Sequence, residues 1–372
     1  MRVALLAQEV SPGYAGGGIG TYTAYLAAGL RDLGCDVTVL GRHDGPPSVV
    51  RGVTYAPRVH LPLRSRYPTL ADRLEAAVEV RRALRHLGAF DVVEGPDWLA
   101  EAALLPRSAA TVHARHVHGN HRVLREHAGW LPSRQQRAAE WLEARDLARA
   151  DVVTATSRLS TLLPSGESVA PDAVLVPMPV RQDGWLDTPA SATGRVVALV
   201  GRIERRKGPE ALIRAAATLP GVTVRLVGRD TRTDAGGSYA DTLRALADGL
   251  GVALDLAGAH PAEAIPALLA DVRAVAVPST FEPFSVAALE GLAAGRPVVL
   301  SDATGAAEVL GAEHGAFVYP QGDDAAVAAA LAPLLDDPAL ATEAGERGRA
   351  HVRAAHSPRA AAEAKLAAWQ AR

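Results

Sequence analysis

The sequence predicts an α/β protein of two doubly wound, Rossmann-like domains, each with a parallel sheet covered by helices on both faces. Three observations predict this fold. The chain has 372 residues, which is too long for one compact core and suits two domains. Short runs rich in valine and leucine alternate with longer alanine-rich segments in both halves. A proline-rich stretch with little periodicity, residues 177–194, separates the halves.

The candidate strands are the short apolar runs that recur along each half. Segments with apolar residues at helical spacing lie between them, for example Tyr22–Leu33. The strands expected in the first half are Arg2–Ala7, Val37–Gly41, Val92–Glu94, Ala109–Val117 and Val152–Ala155. Those expected in the second half are Val196–Val200, Thr223–Val227, Ala274–Val277, Val298–Leu300 and Ala316–Val318.

These patterns place the first domain at residues 1–180 and the second at residues 181–357. A final helix is expected over Pro358–Gln370, and we expect the segment 358–372 to pack back on the first domain through Leu366 and Trp369. Ligands of open α/β sheets bind at the carboxyl ends of the strands. We therefore expect a ligand cleft where the two domains face each other.

Charge and composition argue against nucleic-acid binding, an intrachain disulfide and a membrane-spanning helix. The 39 basic and 41 acidic residues give a net charge of −2, so we expect no binding of nucleic acid. One cysteine, Cys35, excludes an intrachain disulfide. No apolar run approaches the roughly 18–20 residues of a membrane-spanning helix. We expect a cytoplasmic protein, with membrane association left open as the less favoured alternative.

A glycine-rich turn, GYAGGGIGTYTAYLAAGL at residues 13–30, follows the first strand and opens a helix. Glycine at Gly16, Gly17, Gly18 and Gly20 lets the backbone approach a phosphate closely, and a helix N-terminus supplies N–H donors. On its own, the cluster is about as well explained by a flexible turn without a ligand. The glycine spacing differs from that of a dinucleotide-binding fingerprint.

Two cations follow the first strand of the second domain, in LVGRIERRKGPEALIRAA at residues 199–216. Arg202 and Lys207 lie in the turn before the next helix, where a guanidinium and an ammonium suit a pyrophosphate. We interpret the neighbouring Arg205 and Arg206 as a solvated run of charge.

A pair of glutamates marks the segment PSTFEPFSVAALEGLAAGRPVVLSDATGAAEVL, residues 278–310. If a helix begins near Phe284–Ser285, Glu282 precedes it and Glu290 lies inside it. Both carboxylates can then accept hydrogen bonds from sugar hydroxyls, while the first N–H groups of the helix point at a phosphate. The alternative is that Glu282 only complements the helix dipole and that Glu290 is an ordinary polar residue.

Taken together, GGGIGTYTAYLAAGL, VGRIERRKG and FEPFSVAALEGLAAGRPVVLSD resemble the motifs of retaining glycosyltransferases of family four, which have the GT-B fold. The motifs occur in the expected order over nearly the whole chain. The resemblance implies that Glu282 contacts the transferred sugar, that Glu290 contacts the nucleotide ribose and that Lys207 binds the donor diphosphate.

The resemblance implies a wider set of site residues as well. Arg202 shares the diphosphate with Lys207, and the diphosphate rests on the turn at Gly17 and Gly18. The donor-binding set at the start of the glutamate-bearing helix is Phe284, Ser285 and Val286. Ser285 replaces the glycine that is usual in this family, which puts close approach of the backbone to the sugar in doubt.

Five histidines lie close together at His113, His116, His118, His121 and His127. No cysteine or carboxylate completes a familiar ligand pattern, so we expect no metal site. Similar enzymes carry one histidine near the reacting sugar, often in a His-Gly pair at a strand end. His118 fits that position best, and His113 is the alternative. We expect the others at the surface or in an acceptor loop.

The resemblance implies a nucleotide-sugar-dependent hexosyltransferase that needs no metal or cofactor and retains the anomeric configuration. The donor is a nucleoside-diphosphate sugar, and the acceptor is a small molecule or a glycan. The first domain is not strongly basic, which favours a soluble acceptor such as a natural-product aglycone. The alternatives are a non-catalytic two-domain protein that binds sugar or nucleotide, and a GT-B nucleotide-sugar epimerase.

Overall fold

A computed structural model describes residues 1–7, 10–11, 14–15, 17–43, 48–50, 52–189, 194–233 and 236–371. The chain divides into two compact units, each with its own sheet. Unit 1 comprises Met1–Pro179 and Ser357–Arg372, and unit 2 comprises Val180–His356.

Unit 1 is built on an eight-stranded sheet in the order β10-β9-β8-β7-β1-β4-β6-β5. Its neighbouring strands are parallel except for β5 and β6. A separate antiparallel hairpin is formed by β2 and β3. The strands of unit 1 are β1 (Arg2–Leu6), β2 (Val10–Ser11), β3 (Tyr14–Ala15), β4 (Asp36–His43), β5 (Ser48–Val50), β6 (Val53–Pro57), β7 (Phe90–Pro96), β8 (Ala110–Val117), β9 (Val152–Ala155) and β10 (Val174–Leu175).

The helices of unit 1 are α1 (Gly17–Asp32), α2 (Pro68–Leu87), α3 (His121–His127), α4 (Arg134–Leu147) and the C-terminal α11 (Pro358–Gln370). The last of these has the predicted bounds and packs on α1. Gly29 makes this contact possible, because a Cβ at that position would lie 1.9 Å from the carbonyl oxygen of Pro358. Trp369 of α11 is buried in unit 1.

Unit 2 has a six-stranded parallel sheet in the order β13-β12-β11-β14-β15-β16. Its strands are β11 (Val196–Val200), β12 (Thr223–Val227), β13 (Ala253–Gly258), β14 (Val272–Val277), β15 (Val298–Ser301) and β16 (Ala316–Tyr319). Its helices are α5 (Pro209–Ala216), α6 (Tyr239–Leu250), α7 (Ile265–Leu268), α8 (Val286–Ala293), α9 (Asp324–Asp336) and α10 (Pro338–Ala355). Leu199, Leu212, Leu226 and Leu331 lie in one core between sheet and helices.

The prediction of two parallel-sheet α/β domains is confirmed. The strands Val152–Ala155, Val196–Val200 and Thr223–Val227 have their predicted bounds. The first helix begins at Gly17 rather than at Tyr22, because the glycines themselves form its first turn. The prediction missed β5, β6, β10 and β13, which lie at or next to sheet edges. β5 and β10 are only three and two residues long and mostly exposed, so they leave little apolar signal in the sequence.

Within the described ranges, no single helix is both long and apolar enough to cross a membrane. By length and composition alone one bent pair passes that test, Asp324–Asp336 with Pro338–Ala355, which meet at 104°.

Candidate active site

The turns that follow two neighbouring strands of unit 2, β11 and β14, carry most of the predicted donor-binding residues. Gly208 lets these turns touch. It has a left-handed φ of 68°, and a Cβ there would lie 1.9 Å from the carbonyl oxygen of Pro278. Any side chain at this position would push the turn after β11 away from the segment after β14.

Glu282 and Lys207 form an ion pair between Oε1 and Nζ. The second carboxylate oxygen of Glu282 accepts a hydrogen bond of 2.8 Å from Ser279 Oγ, and the residue is 9% exposed. Burial by itself would raise the pKa of Glu282. The charges of Lys207 and Arg206 and the hydrogen bonds from Lys207 and Ser279 outweigh it and lower the pKa. Glu282 is therefore ionised at neutral pH.

The backbone around Glu282 is fixed from two sides. Its N–H donates to Ala303 at 2.9 Å, and its carbonyl accepts from the N–H of Gly305 at 2.9 Å. Arg206 Nη1 donates to the carbonyl of Phe281 at 2.9 Å. Our interpretation of Arg206 as a solvated charge is wrong, because the turn carries its guanidinium onto this backbone. Arg205 is exposed, as expected.

Helix α8 begins where the sequence predicted, with Ser285 as its N-cap. Ser285 has φ 104°, a backbone conformation that residues other than glycine rarely adopt. Its Oγ accepts a hydrogen bond from the N–H of Ala288 at 3.4 Å. Phe284 is buried beside it, and Val286 is partly buried. The position that is usually glycine in the family thus keeps a glycine-like backbone here.

Glu290 lies inside α8 and is partly exposed. Loss of water around its carboxyl raises the pKa to about 7, against the opposing effect of the Lys207 charge. The charge of Lys207 therefore acts to lower the pKa of both predicted glutamates. Arg202 is exposed, and its Nη1 lies 3.3 Å from Glu204, outside the Lys207–Glu282 pair.

In unit 1, the glycine-rich turn forms the start of α1. Gly17 has φ 80°, and a Cβ added to Gly18 would have nothing within 4 Å. Both residues are exposed, while Gly16 lies outside the described residues. The first N–H groups of an α-helix have no partner within the helix, so this end can donate to an anion.

His118 follows the carboxyl end of β8. Its N–H donates to Asp97 Oδ1 at 2.9 Å, and its ring meets those of His116 and Tyr22 edge-on at 4.6 and 4.9 Å. Burial and, secondarily, the charge of Lys365 lower the pKa of His118 to about 3. The imidazole is therefore neutral at physiological pH.

His113 lies in the middle of β8. It is buried, its Nε2 is 3.2 Å from the carbonyl oxygen of Arg107, and its N–H donates to Asp151 Oδ2 at 2.8 Å. Of the two candidates, only His118 stands at the strand end where ligands of such sheets bind.

The expectation that the remaining histidines lie at the surface is wrong for His116, which is 1% exposed and stacks on Tyr22 with ring centres 4.2 Å apart. It is buried because β8 is an interior strand and because Tyr22 of α1 and Lys365 of α11 lie against its ring. Among the residues described, no three His, Cys, Asp or Glu side chains are grouped so that they could hold a metal ion.

Sequence reasoning missed a buried polar cluster beside His118. Lys365 of α11 is fully buried and lies 2.7 Å from Glu94 Oε2 and 3.1 Å from His116 Nδ1. Trp369 Nε1 also donates to Glu94 Oε2, at 3.3 Å. A charged residue within an apolar strand was a signal that Glu94 needs a partner, but the partner lies 271 positions away.

Asp97 is a second residue that sequence reasoning missed. The available signal was its position directly after the buried strand β7. Burial raises its pKa to about 8, and its Oδ2 has no hydrogen-bond partner among the described residues. Asp97 thus fixes the backbone of His118 while keeping one oxygen unused.

Comparison with known protein families gives matches in both halves of the chain. Residues 17–163 match the glycosyl transferase 4-like domain, and residues 187–351 match the family described as glycosyl transferases group 1. The D-inositol 3-phosphate glycosyltransferase of Acidothermus cellulolyticus is 30% identical, over 95% of this chain and 87% of its own.

Two solved structures share the fold. Sucrose-phosphate synthase from Thermosynechococcus elongatus has a TM-score of 0.78 at 23% identity and covers 100% of this chain and 98% of its own. Alr3699/HepE of Anabaena in complex with UDP has a TM-score of 0.73 at 20% identity, with 100% of both chains covered. The chain has the GT-B fold and belongs to the glycosyl transferases of group 1.

Proposed function

We propose that this glycosyltransferase moves a sugar from a nucleoside-diphosphate sugar to a hydroxyl of an acceptor, with retention of the anomeric configuration. The observation that carries the proposal is the Lys207–Glu282 ion pair at the carboxyl ends of two adjacent strands. It supplies a cation for the leaving phosphate and a carboxylate for the sugar from one fixed unit.

Within unit 2, the donor diphosphate is assigned to Lys207 and Arg202, together with the N-terminus of α8. Within unit 1, the exposed start of α1 at Gly17 and Gly18 is assigned as an anion-binding helix end. The groups of unit 2 stabilise the negative charge that develops as the nucleoside diphosphate leaves. Removal of one such preorganised group typically lowers the rate by about 10²–10³-fold. No metal takes part in this proposal.

Within unit 2, the carboxylate that binds sugar hydroxyls is assigned to Glu282. Within unit 1, the imidazole that orients a sugar is assigned to His118. Because its pKa is lowered, the Glu282 carboxylate stays ionised and accepts hydrogen bonds from sugar hydroxyls. His118 is neutral, so it orients the sugar through a hydrogen bond rather than acting as a proton donor at neutral pH. The ribose of the nucleotide is assigned to Glu290.

In the chemical step, the acceptor oxygen bonds to the anomeric carbon on the face from which the diphosphate departs. The bond between that carbon and the phosphate oxygen breaks, and the departing oxygen takes the proton of the acceptor hydroxyl. This route needs no enzymic nucleophile. A covalent glycosyl-enzyme trapped on Glu282 would contradict it.

For the acceptor, we propose a small molecule, in the range of natural-product aglycones and cyclitols. The name of the Acidothermus relative supports a small polyol phosphate as the first compound to test. For the donor, the Anabaena structure with UDP supports starting with uridine nucleotides.

The test is a thermal-shift panel with UDP, GDP, ADP and dTDP on the wild type, Lys207→Ala and Arg205→Ala. We expect one nucleotide to raise the melting midpoint of the wild type, with the effect lost in Lys207→Ala. Arg205→Ala removes the same charge from an exposed position in the same turn and should respond like the wild type. No response to any nucleotide, or equal responses in all three proteins, would overturn the donor-site assignment.

A further inference from the structure

The two sides of helix α4 in unit 1 carry opposite charges. Its three carboxylates, Glu140, Glu143 and Asp146, have side chains that are 10%, 1% and 3% exposed. Each is neutralised from inside the unit, Glu140 by Arg125 at 2.6 Å and Asp146 by Arg115 at 2.6 Å. The helix therefore contributes no negative charge to the surface.

The outward side of α4 is basic and aromatic. Arg134, Arg137, Trp141 and Arg145 are all exposed and recur at helical spacing, so they form one stripe along the axis. Trp141 is 62% exposed, and the guanidinium of Arg145 lies 5.5 Å from its ring centre. The helix is described throughout, and all of its carboxylates belong to the opposite side.

The loop before α4 extends this surface with two apolar side chains. Trp130 is 70% exposed and Leu131 is 93% exposed. The loop is nevertheless held in place, because Arg125 Nη1 donates to the carbonyl of Trp130 at 2.8 Å and the N–H of Trp130 donates to Arg125 at 3.1 Å. A capping box of Ser133 and Gln136 fixes the start of the helix.

We propose that this basic-aromatic face, formed by Trp130, Leu131, Arg134, Arg137, Trp141 and Arg145, docks reversibly on an anionic lipid bilayer. Arginines bind lipid phosphates and are attracted by the negative potential of the surface. Tryptophan and leucine enter the interfacial region, which accepts apolar groups without a matching pocket. An exposed loop tip of this composition fits that environment better than the groove of a protein partner.

The attraction is local rather than global. The whole chain has a net charge of −2, so only the arrangement of charge on α4 can draw this face to an anionic surface. Each arginine near such a surface is expected to strengthen binding about fivefold. The inference does not depend on the donor-site assignment, because none of its residues belongs to that site.

The experiment is co-sedimentation of the full chain with vesicles of phosphatidylcholine, with and without phosphatidylglycerol. We expect binding to the anionic vesicles only, and weakening of that binding at high salt. Arg137→Glu with Arg145→Glu should reduce binding by about 25-fold or more. Trp130→Ala with Leu131→Ala should also reduce binding to the anionic vesicles. The loss of binding in this variant should depend less on salt than the loss in the arginine variant.

Matched variants elsewhere separate this face from general effects. Arg244→Glu with Arg347→Glu makes the same charge change on exposed helices of unit 2, and Leu250→Ala removes an exposed leucine there. These controls should bind like the wild type, and all variants should keep the wild-type melting midpoint.

Three outcomes would overturn the proposal. The first is equal binding to neutral and anionic vesicles, and the second is that the variants of the face bind like the matched controls. The third is no binding to either kind of vesicle, which would leave an acidic protein as the better fit to this face.

Discussion

At the scale of single residues, lysine is the informative side chain of this protein. It occurs at two positions, Lys207 and Lys365, among 39 basic residues, and both ammonium groups contact a glutamate. A compact ammonium fits against one carboxylate oxygen in a confined space, whereas a guanidinium needs a broader partner. Lys207 keeps the carboxylate of the proposed sugar site ionised, while Lys365 joins α11 to the interior of unit 1.

The space around Gly18 allows stability and donor binding to be separated. Gly18→Ala meets no neighbouring atom and replaces glycine within a helix, so we expect unchanged or slightly raised stability. A methyl group there would hinder a phosphate from approaching the helix start, so turnover and affinity for the nucleoside diphosphate should fall. Thermal unfolding and steady-state kinetics measure the two effects.

Gly249→Ala is the matched control for that variant, because Gly249 also lies in a helix with nothing within 4 Å of an added Cβ. It should keep wild-type kinetics. Unchanged donor affinity in Gly18→Ala would remove the turn at Gly17 and Gly18 from the proposed site.

Glu290 gives the protein a pH-dependent stability of known sign. The pKa of its carboxyl is raised in the folded state to about 7. The protonated carboxyl therefore stabilises the folded state fully below the pKa that Glu290 has in the unfolded chain, and this stabilisation is lost as the pH rises to about 7. Glu290→Gln removes this loss. We expect the variant to gain about 2 kcal/mol over the wild type between about pH 5 and pH 8, a figure reduced by partial access of water.

Urea unfolding at both pH values measures this difference. Glu343→Gln is the control, since Glu343 has a side chain that is 71% exposed and should show no such dependence. A constant difference between Glu290→Gln and the wild type across the pH range would contradict the shifted carboxyl.

At the scale of elements, the start of α8 combines a favourable cap with an unfavourable backbone. Ser285 caps the helix through a long hydrogen bond of 3.4 Å while its φ is 104°. A non-glycine residue in such a conformation typically costs about 1–3 kcal/mol. Glycine at an N-cap loses only a few tenths of a kcal/mol, so relief of the strain should dominate.

We therefore expect Ser285→Gly to raise the free energy of unfolding by about 1 kcal/mol. Ser285→Ala keeps the strained backbone and loses the cap, so it should lower that free energy by about 1 kcal/mol. Denaturant unfolding of the two variants provides the comparison, and loss of stability in both would show that the hydroxyl outweighs the strain.

Helix α11 is fastened by a buried ion pair rather than by apolar packing alone. Lys365→Met leaves the buried Glu94 carboxylate without its ammonium partner, which typically costs about 3–5 kcal/mol. Adding Glu94→Gln removes the unpaired charge, so the double variant should be more stable than Lys365→Met. A double-mutant cycle followed by urea unfolding measures the coupling, and additive effects would argue against the pair.

At the scale of the whole molecule, the chain forms unit 2 from one continuous segment and completes unit 1 with its C-terminal helix. Lys207, Glu282 and Glu290 all lie in unit 2, whereas Gly18 and His118 lie in unit 1. Each set is positioned by its own sheet, at the carboxyl ends of its strands.

This division predicts partial function in an isolated unit. The excised segment Val180–His356 contains a complete sheet and core, so we expect it to fold and to bind a nucleoside diphosphate more weakly than the whole chain. It should transfer no sugar. Isothermal titration with the nucleotide identified in the thermal-shift panel measures the affinity. A folded segment that binds no nucleotide would show that Lys207 and Glu290 are not sufficient to hold it.

The sequence by itself determined the class of fold, most interior strands and the local order of the donor motifs. Interior parallel strands are buried on both faces and leave continuous apolar runs, and the motif at Ser285 carries its own helix start. Only the tertiary structure decided which residues meet across long separations. Lys365 reaches Glu94 from a distant helix, Arg206 turns onto the backbone of Phe281, and His116 is enclosed rather than exposed. The physical reason is that local patterns record which faces of an element are buried, while partners for buried charges are set by packing between elements that no local pattern encodes.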